Sequence, residues 1–243
     1  MRWVSRDASG SVTQPQSRGL ILLGVPDTSR ESALGSPPSV DAHSGWRASH
    51  LLVIGPPGAG KGTQGEILSD CLGITHVSAG ALLREAIGAG SPLGRIAGRF
   101  VARGLLVPDK LVLRLVYEKV RGCKASKAEA MGILLDGVPR TLRQAETLDT
   151  IMVSNPICAV VHLHVSDEVA RARLVTRGRP EDTEAVIGRR LSMYHRFTVP
   201  MVAWMTRRRP VLTVDGDRSV AEVSADIARR LDPLFQLADG ASR

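Results

Sequence analysis

Leu51-Leu52-Val53-Ile54-Gly55-Pro56-Pro57-Gly58-Ala59-Gly60-Lys61-Gly62-Thr63 is the stretch that sets the fold. Four apolar residues closed by a glycine-rich turn read as a strand buried on both faces, which is the texture of a parallel sheet. A helix is predicted to follow, from about Thr63 to Leu72. Glycines let backbone N–H groups turn inward around phosphate oxygens, the helix N-terminus adds a positive dipole end, and Lys61 supplies a mobile cation. Gly58, Ala59, Gly60, Lys61, Gly62 and Thr63 are thus a candidate triphosphate cradle. The hydroxyl stands one position later than in the usual phosphate loop, with Gly62 after the lysine and Thr63 next.

Outward from this stretch, short apolar runs recur at 132–135, 159–165 and 211–214, with helix-like patterns between them. Strands alternating with helices predict an α/β fold, a central parallel sheet covered on both faces. His162 and His164 alternate with Val161, Leu163 and Val165; their strand spacing is no metal-site credential, and polar partners are expected for them. Residues 1–48 are rich in Ser, Gly, Pro and Arg without a sustained period, and are expected to be a disordered or loosely attached extension without chemistry. Asp7, Asp27, Glu31 and Asp41 weigh against an organelle transit peptide there, and an overcalled start is the other reading. The folded domain is expected over 49–238, with a tail at 239–243.

The 243 residues suit one core of this size, and their 43% hydrophobic content is enough to fill it. The formal charge is +8, but aromatic residues are only 3% and no basic run exceeds Arg207-Arg208-Arg209, which argues against nucleic acid. No stretch approaches the roughly 20 apolar residues that cross a bilayer, so no membrane partner is expected. Cys71, Cys123 and Cys158 have no paired spacing and read as reduced thiols, from which a cytoplasmic location is expected.

Further motifs extend the pattern. Gly55 to Gln64 resembles the phosphate loop of adenylate kinases, and His76-Val77-Ser78-Ala79-Gly80-Ala81-Leu82-Leu83-Arg84 is similar to that family's monophosphate-site entry. Gly104-Leu105-Leu106-Val107-Pro108-Asp109 is similar to the second half of that site, and Asp136-Gly137-Val138-Pro139-Arg140-Thr141-Leu142-Arg143-Gln144-Ala145 to the hallmark segment. Arg177-Gly178-Arg179-Pro180-Glu181-Asp182-Thr183, Arg189-Arg190-Leu191 with Tyr194, and Asp215-Gly216 look like the lid, its return helix and the last strand. The likeness spans about residues 50–235.

The resemblance implies a P-loop three-layer fold, with a helical monophosphate-binding segment over 78–108 and a short lid over about 176–183. It implies a monomer that moves a phosphoryl group from Mg-ATP to AMP, giving two ADP. Lys61, Arg140, Arg177, Arg179 and Arg190 would be catalytic, with Arg173, Arg177 and Arg218 also on the ATP side. AMP would meet Ala79, Arg84, Leu105, Leu106, Val107, Gly137, Val138, Pro139, Arg140, Gln144, Arg179 and Arg190. Phosphoryl transfer asks mainly for positioned cations, and arginine's planar fork suits this because it binds two oxygens and stays charged. Asp136, ending an apolar run where ligands bind in such sheets, is assigned to the water shell of Mg²⁺. The lid has no room for four metal-binding side chains, so no zinc is expected. Arg143, Arg171 and Arg189 are read as surface or ion-pair residues, and Asp182 as a lid ion-pair partner.

Ala79 stands where most adenylate kinases carry Ser or Thr and pyrimidine monophosphate kinases commonly carry Ala, so a UMP/CMP kinase is the rival within the class. Gln144 favours AMP, since its amide offers both a donor and an acceptor to the adenine edge. Ala81 removes a carboxylate common in the family, and Val138 replaces the usual Phe. A nucleotide-binding sensor without catalysis is the rival from another class.

Overall fold

The computed structural model describes residues 50–124, 132–153 and 156–240. The expected extension over 1–48 lies outside them, as do residues 241–243 of the expected tail. Five strands form one parallel sheet: β1 (His50–Ile54), β2 (Thr75–Ser78), β3 (Ile133–Asp136), β4 (Ile157–His164) and β5 (Val211–Asp215). Their spatial order is β2-β3-β1-β4-β5, every pair parallel, so the chain crosses over the sheet between neighbours.

Alternation along the strands sorts the core into two layers. Leu51, Val53, Leu134, Ala159, Val161 and Leu163 face one side, where α1 (Lys61–Leu72), α6 (Asp167–Arg177), α7 (Glu184–Met193) and α9 (Val220–Gly240) cover them with Leu68, Ala170, Leu174, Ile187, Leu191, Val223 and Ile227. Leu52, Ile54, Ile133, Leu135 and Val160 face the other. They pack under α2 (Ala79–Gly88), α3 (Pro92–Val101), α4 (Asp109–Lys124), α5 (Leu142–Ile151) and α8 (Val199–Thr206). Both faces of β1 are therefore dry, which is why its sequence shows an unbroken apolar run rather than alternation. The register slips between His50 and Leu51, which pair with Ile157 and Ala159, so one extra residue in β4 turns Ile157 onto the second face.

Helix starts follow local chemistry. Ser78, Ser91, Thr141, Ser166 and Thr183 each accept a backbone N–H of the first turn of α2, α3, α5, α6 and α7. α1 begins at Lys61 behind Gly60, which has no side chain to cap its first N–H groups. α2 and α3 meet at Gly94, where an added Cβ would lie 1.8 Å from the carbonyl oxygen of Ala86, so the two backbones touch. Between α7 and α8 the chain makes one π-helical turn, Tyr194–Thr198, a widening that recurs at functional positions. Among the described residues no helix is long and apolar enough to cross a membrane.

Candidate active site

The carboxyl ends of the strands open into a cleft of about 780 Å³, within the size range of ligand sites, lying where open α/β sheets bind ligands. The loop 55–60 forms its floor. Gly58 and Gly60 hold φ of +85° and +84°, and a Cβ on Gly58 would lie 2.5 Å from the Ala170 carbonyl oxygen, so this turn tolerates only glycine. Lys61 donates to the carbonyls of Gly55 (3.0 Å) and Pro56 (2.7 Å). Burial pushes its ammonium down to about 8, with Asp136 opposing and Arg140 and Arg177 adding to the fall.

Asp136 ends β3 with 6% of its surface exposed and accepts from the Ser78 hydroxyl at 2.9 Å. Burial pushes its carboxyl up, but His76 (Nε2 3.7 Å away), the Lys61 charge and the Ser78 hydroxyl together outweigh it and hold the group below its usual range. The carboxylate stays ionised beside the phosphate loop.

The guanidiniums reach the cleft from separate elements. Arg140, after β3, donates from Nε to the Gly137 carbonyl at 2.8 Å, and Thr198 of the π-turn donates to the Arg140 carbonyl at 2.9 Å. Desolvation within the crowded cleft lowers the Arg140 value, and Arg190 and Arg84 lower it further. Arg179 is lowered first by desolvation, then by Arg177 and Arg84. Each of these groups feels its neighbours' charge, so they converge on one volume rather than radiate into solvent. Asp182, with a side chain 1% exposed, accepts from Arg177 at 2.7 Å and pairs with Arg190, holding the end of α6 against α7. Its expected ion-pair role is what the geometry shows. Arg171 pairs with Glu184, while Arg143 and Arg189 are exposed, as expected of surface arginines.

The remaining candidates separate. Gly58, Gly60, Gly62, Thr63, Ala79, Arg84, Leu105, Leu106, Val107, Gly137, Pro139, Gln144 and Arg173 line the cleft. Arg173 also donates to the Gly216 carbonyl at 2.7 Å. Ala59 and Val138 are buried in the two core layers and Arg218 turns away to Asp226 at 2.9 Å, so none of the three is among the cleft-lining residues. Only their backbones, or a rearrangement, can bring them to a nucleotide. Sequence alone assigns no role to His76 and Ser78 around Asp136, to Thr198, which grips Arg140, or to cleft-lining Tyr194, whose hydroxyl is 2.8 Å from the Nε2 of His162. Burial pushes Tyr194 up to about 12 and His162 down to about 4, so this pair is neutral. Serine before a helix start is a capping signal that the sequence carried, and it marks Ser78.

A family model described as "Adenylate kinase" matches residues 53–209. The chain belongs to the adenylate kinase family. Adenylate kinase 1 of Nostoc sp. is 42% identical over 185 residues, covering 75% of this chain and 98% of its own. The adenylate kinase of Parasynechococcus marenigrum is 41% identical over 185 residues, 75% and 98% of the two chains, and adenylate kinase 1 of Synechocystis sp. is 39% identical over 188, 76% and 98%. The chain is therefore a nucleotide-binding phosphotransferase, and the pyrimidine-kinase and sensor alternatives are not favoured. Its P-loop α/β sheet is the one expected from Leu51 to Thr63.

Proposed function

We propose that this chain catalyses the reversible transfer of the γ-phosphoryl group of ATP to AMP, giving two ADP, with the cleft residues in the following roles. The convergence of Arg84, Arg140, Arg177, Arg179 and Arg190 beside the loop of Lys61, from four separate stretches of chain, is the observation that supports it. Charge spreads over the equatorial oxygens of the moving group, and fixed cations stabilise it without reorganising. The turn 58–63 and Lys61 hold the β- and γ-phosphates, with Arg173 and Arg177 on the ATP side. Arg84 and Arg140 hold the AMP phosphate, and Arg179 and Arg190 close on the transferring group from the lid. The lid loop, between the end of α6 at Arg177 and the start of α7 at Glu184, and the 78–108 segment exclude water, the competing acceptor.

Magnesium fits the donor set. Among the described residues no three His, Cys, Asp or Glu side chains gather into a metal cage, while Asp136 offers an ionised carboxylate and Thr63 a hydroxyl at the phosphate loop. That pairing suits an ion carried in on nucleotide phosphates and retaining water. When bound, Mg²⁺ would offset the charge of the nucleotide phosphates. Asp136 would hold it through water, and Ser78 holds Asp136. The domain is proposed to act as a cytoplasmic monomer bounded at about 49–238, with ATP, AMP and ADP as its only partners and no zinc.

The test is ADP formation from Mg-ATP with AMP, UMP, CMP and GMP in parallel, using Arg140→Ala as the blank. Turnover with AMP, lost by on the order of 10³ in the variant, is the expected result. Preference for UMP or CMP would show that Ala79 outweighs Gln144, and full activity in Arg140→Ala would overturn the arginine roles.

A further inference from the structure

Gln144 is 2% exposed, lines the cleft, and has both ends of its amide engaged within the protein. Its Nε2 donates to Asp109 Oδ1 at 2.7 Å, and its Oε1 accepts the Arg140 backbone N–H at 2.7 Å. Thr141 completes the arrangement: its hydroxyl donates to Asp109 Oδ2 at 3.1 Å and accepts the Gln144 backbone N–H at 3.1 Å. A glutamine amide is nearly symmetric in shape, and its neighbours decide which end carries the oxygen. Here those neighbours have fixed polarity, because a carboxylate only accepts and a backbone N–H only donates.

We propose that Asp109 is a specificity-determining positioning residue: it locks the Gln144 amide in the orientation that reads a 6-amino purine and rejects a 6-oxo purine. The inference rests on Gln144 reading the base. With Nε2 turned to Asp109, the amide has one N–H and one oxygen lone pair left for the cleft. Adenine presents a matching edge, N1 accepting and the exocyclic amine donating. Hypoxanthine and guanine present the reverse, O6 accepting and N1–H donating, and only a flipped amide can pair with them. A flip sets NH₂ against the Arg140 N–H and oxygen against the Asp109 carboxylate, two repulsions that count against the wrong base. Asparagine at position 109 removes one of them, because its own amide can turn to meet either end of Gln144.

Steady-state rates with Mg-ATP and either AMP or IMP decide the matter, in the wild type, Asp109→Asn, Gln144→Ala and the double variant. Losing a hydrogen bond to a charged group lowers the AMP-to-IMP ratio of kcat/KM by about tenfold or more in Asp109→Asn. The change lies mainly in KM for the monophosphate, with KM for ATP unmoved. In the Gln144→Ala background, Asp109→Asn adds nothing further. An unchanged ratio in Asp109→Asn, or an equal drop in both backgrounds, overturns the lock. An unchanged ratio in Gln144→Ala overturns the base-reading role beneath it and is a separate result. Asp109→Ser, which keeps an oxygen for Thr141, is measured alongside, so a folding failure of one variant leaves the other to decide.

Discussion

Replacing Lys61 with methionine should stabilise the nucleotide-free protein while abolishing turnover. Lys61 sits among Gly55, Pro56, Arg140 and Arg177, and burial lowers its ammonium from 10.5 to about 8. That difference corresponds to about 3 kcal/mol of free energy spent in keeping the charge at neutral pH. The folded state binds fewer protons than the unfolded one between pH 8 and 10.5, so the penalty is complete below pH 8 and relieved as pH rises through that window. Methionine keeps the stem and removes the charge. Two hydrogen bonds to loop carbonyls are lost, each worth about 1 kcal/mol. A net gain of about 1 kcal/mol at pH 7 follows, or about 2–4 °C in Tm for a domain of this size. Urea denaturation of both proteins at pH 7 and pH 10 measures it, and the difference between them cancels the titration of other groups. The reasoning is refuted if Lys61→Met is less stable at pH 7, or if its advantage does not shrink by pH 10.

Two other perturbations probe neighbouring groups. Asp182→Asn leaves Arg177 and Arg190 without the carboxylate that holds them together, so kcat should fall about 10- to 100-fold and stability by about 3 kcal/mol, measured by single-turnover kinetics and denaturation. Ser78→Ala takes away one of the groups holding Asp136 ionised. Its acidic form then persists to higher pH, and the acid limb of the kcat/KM profile should move upward in pH while the alkaline limb stays put.

Four of the five strands were legible as apolar runs, most plainly where both faces are buried: Leu51-Leu52-Val53-Ile54 has no polar residue to mislead, and the turn after it contains the glycines that its φ values demand. The same logic found Asp136 at the end of β3. The edge strand β2, in which only Val77 is buried, left no such run. Strand ends were less visible. The run at 159–165 becomes a strand from Ile157 to His164, since the extra residue near Cys158 breaks the alternation that marks a boundary. The helix expected from Thr63 begins at Lys61, a difference of half a turn that capping chemistry could not reveal because Gly60 has no side chain. Site residues named by resemblance to a motif were harder to place when the motif mixes wall and core. Val138 sits between Gly137 and Pro139 in sequence, yet its side chain points into the apolar layer with Leu135 and Ala145. The polar ties that hold the site, Ser78 to Asp136 across 58 residues and Thr198 to Arg140 across another 58, join distant segments, and no local pattern announces them.

The backbone contact of Gly94 with Ala86 bears on how the segment 78–108 can move. With no side chain between them, α2 and α3 cannot slide or splay without prying main chain from main chain, so the pair behaves as a stiff plate. Bending is left to its edges, near Ser78 and near Gly104, whose φ of +69° suits a glycine pivot. A plate on two pivots has few ways to be half shut. Its motion should look like a door with two settings, and a bulky residue at position 94 would warp the door itself rather than jam its hinges.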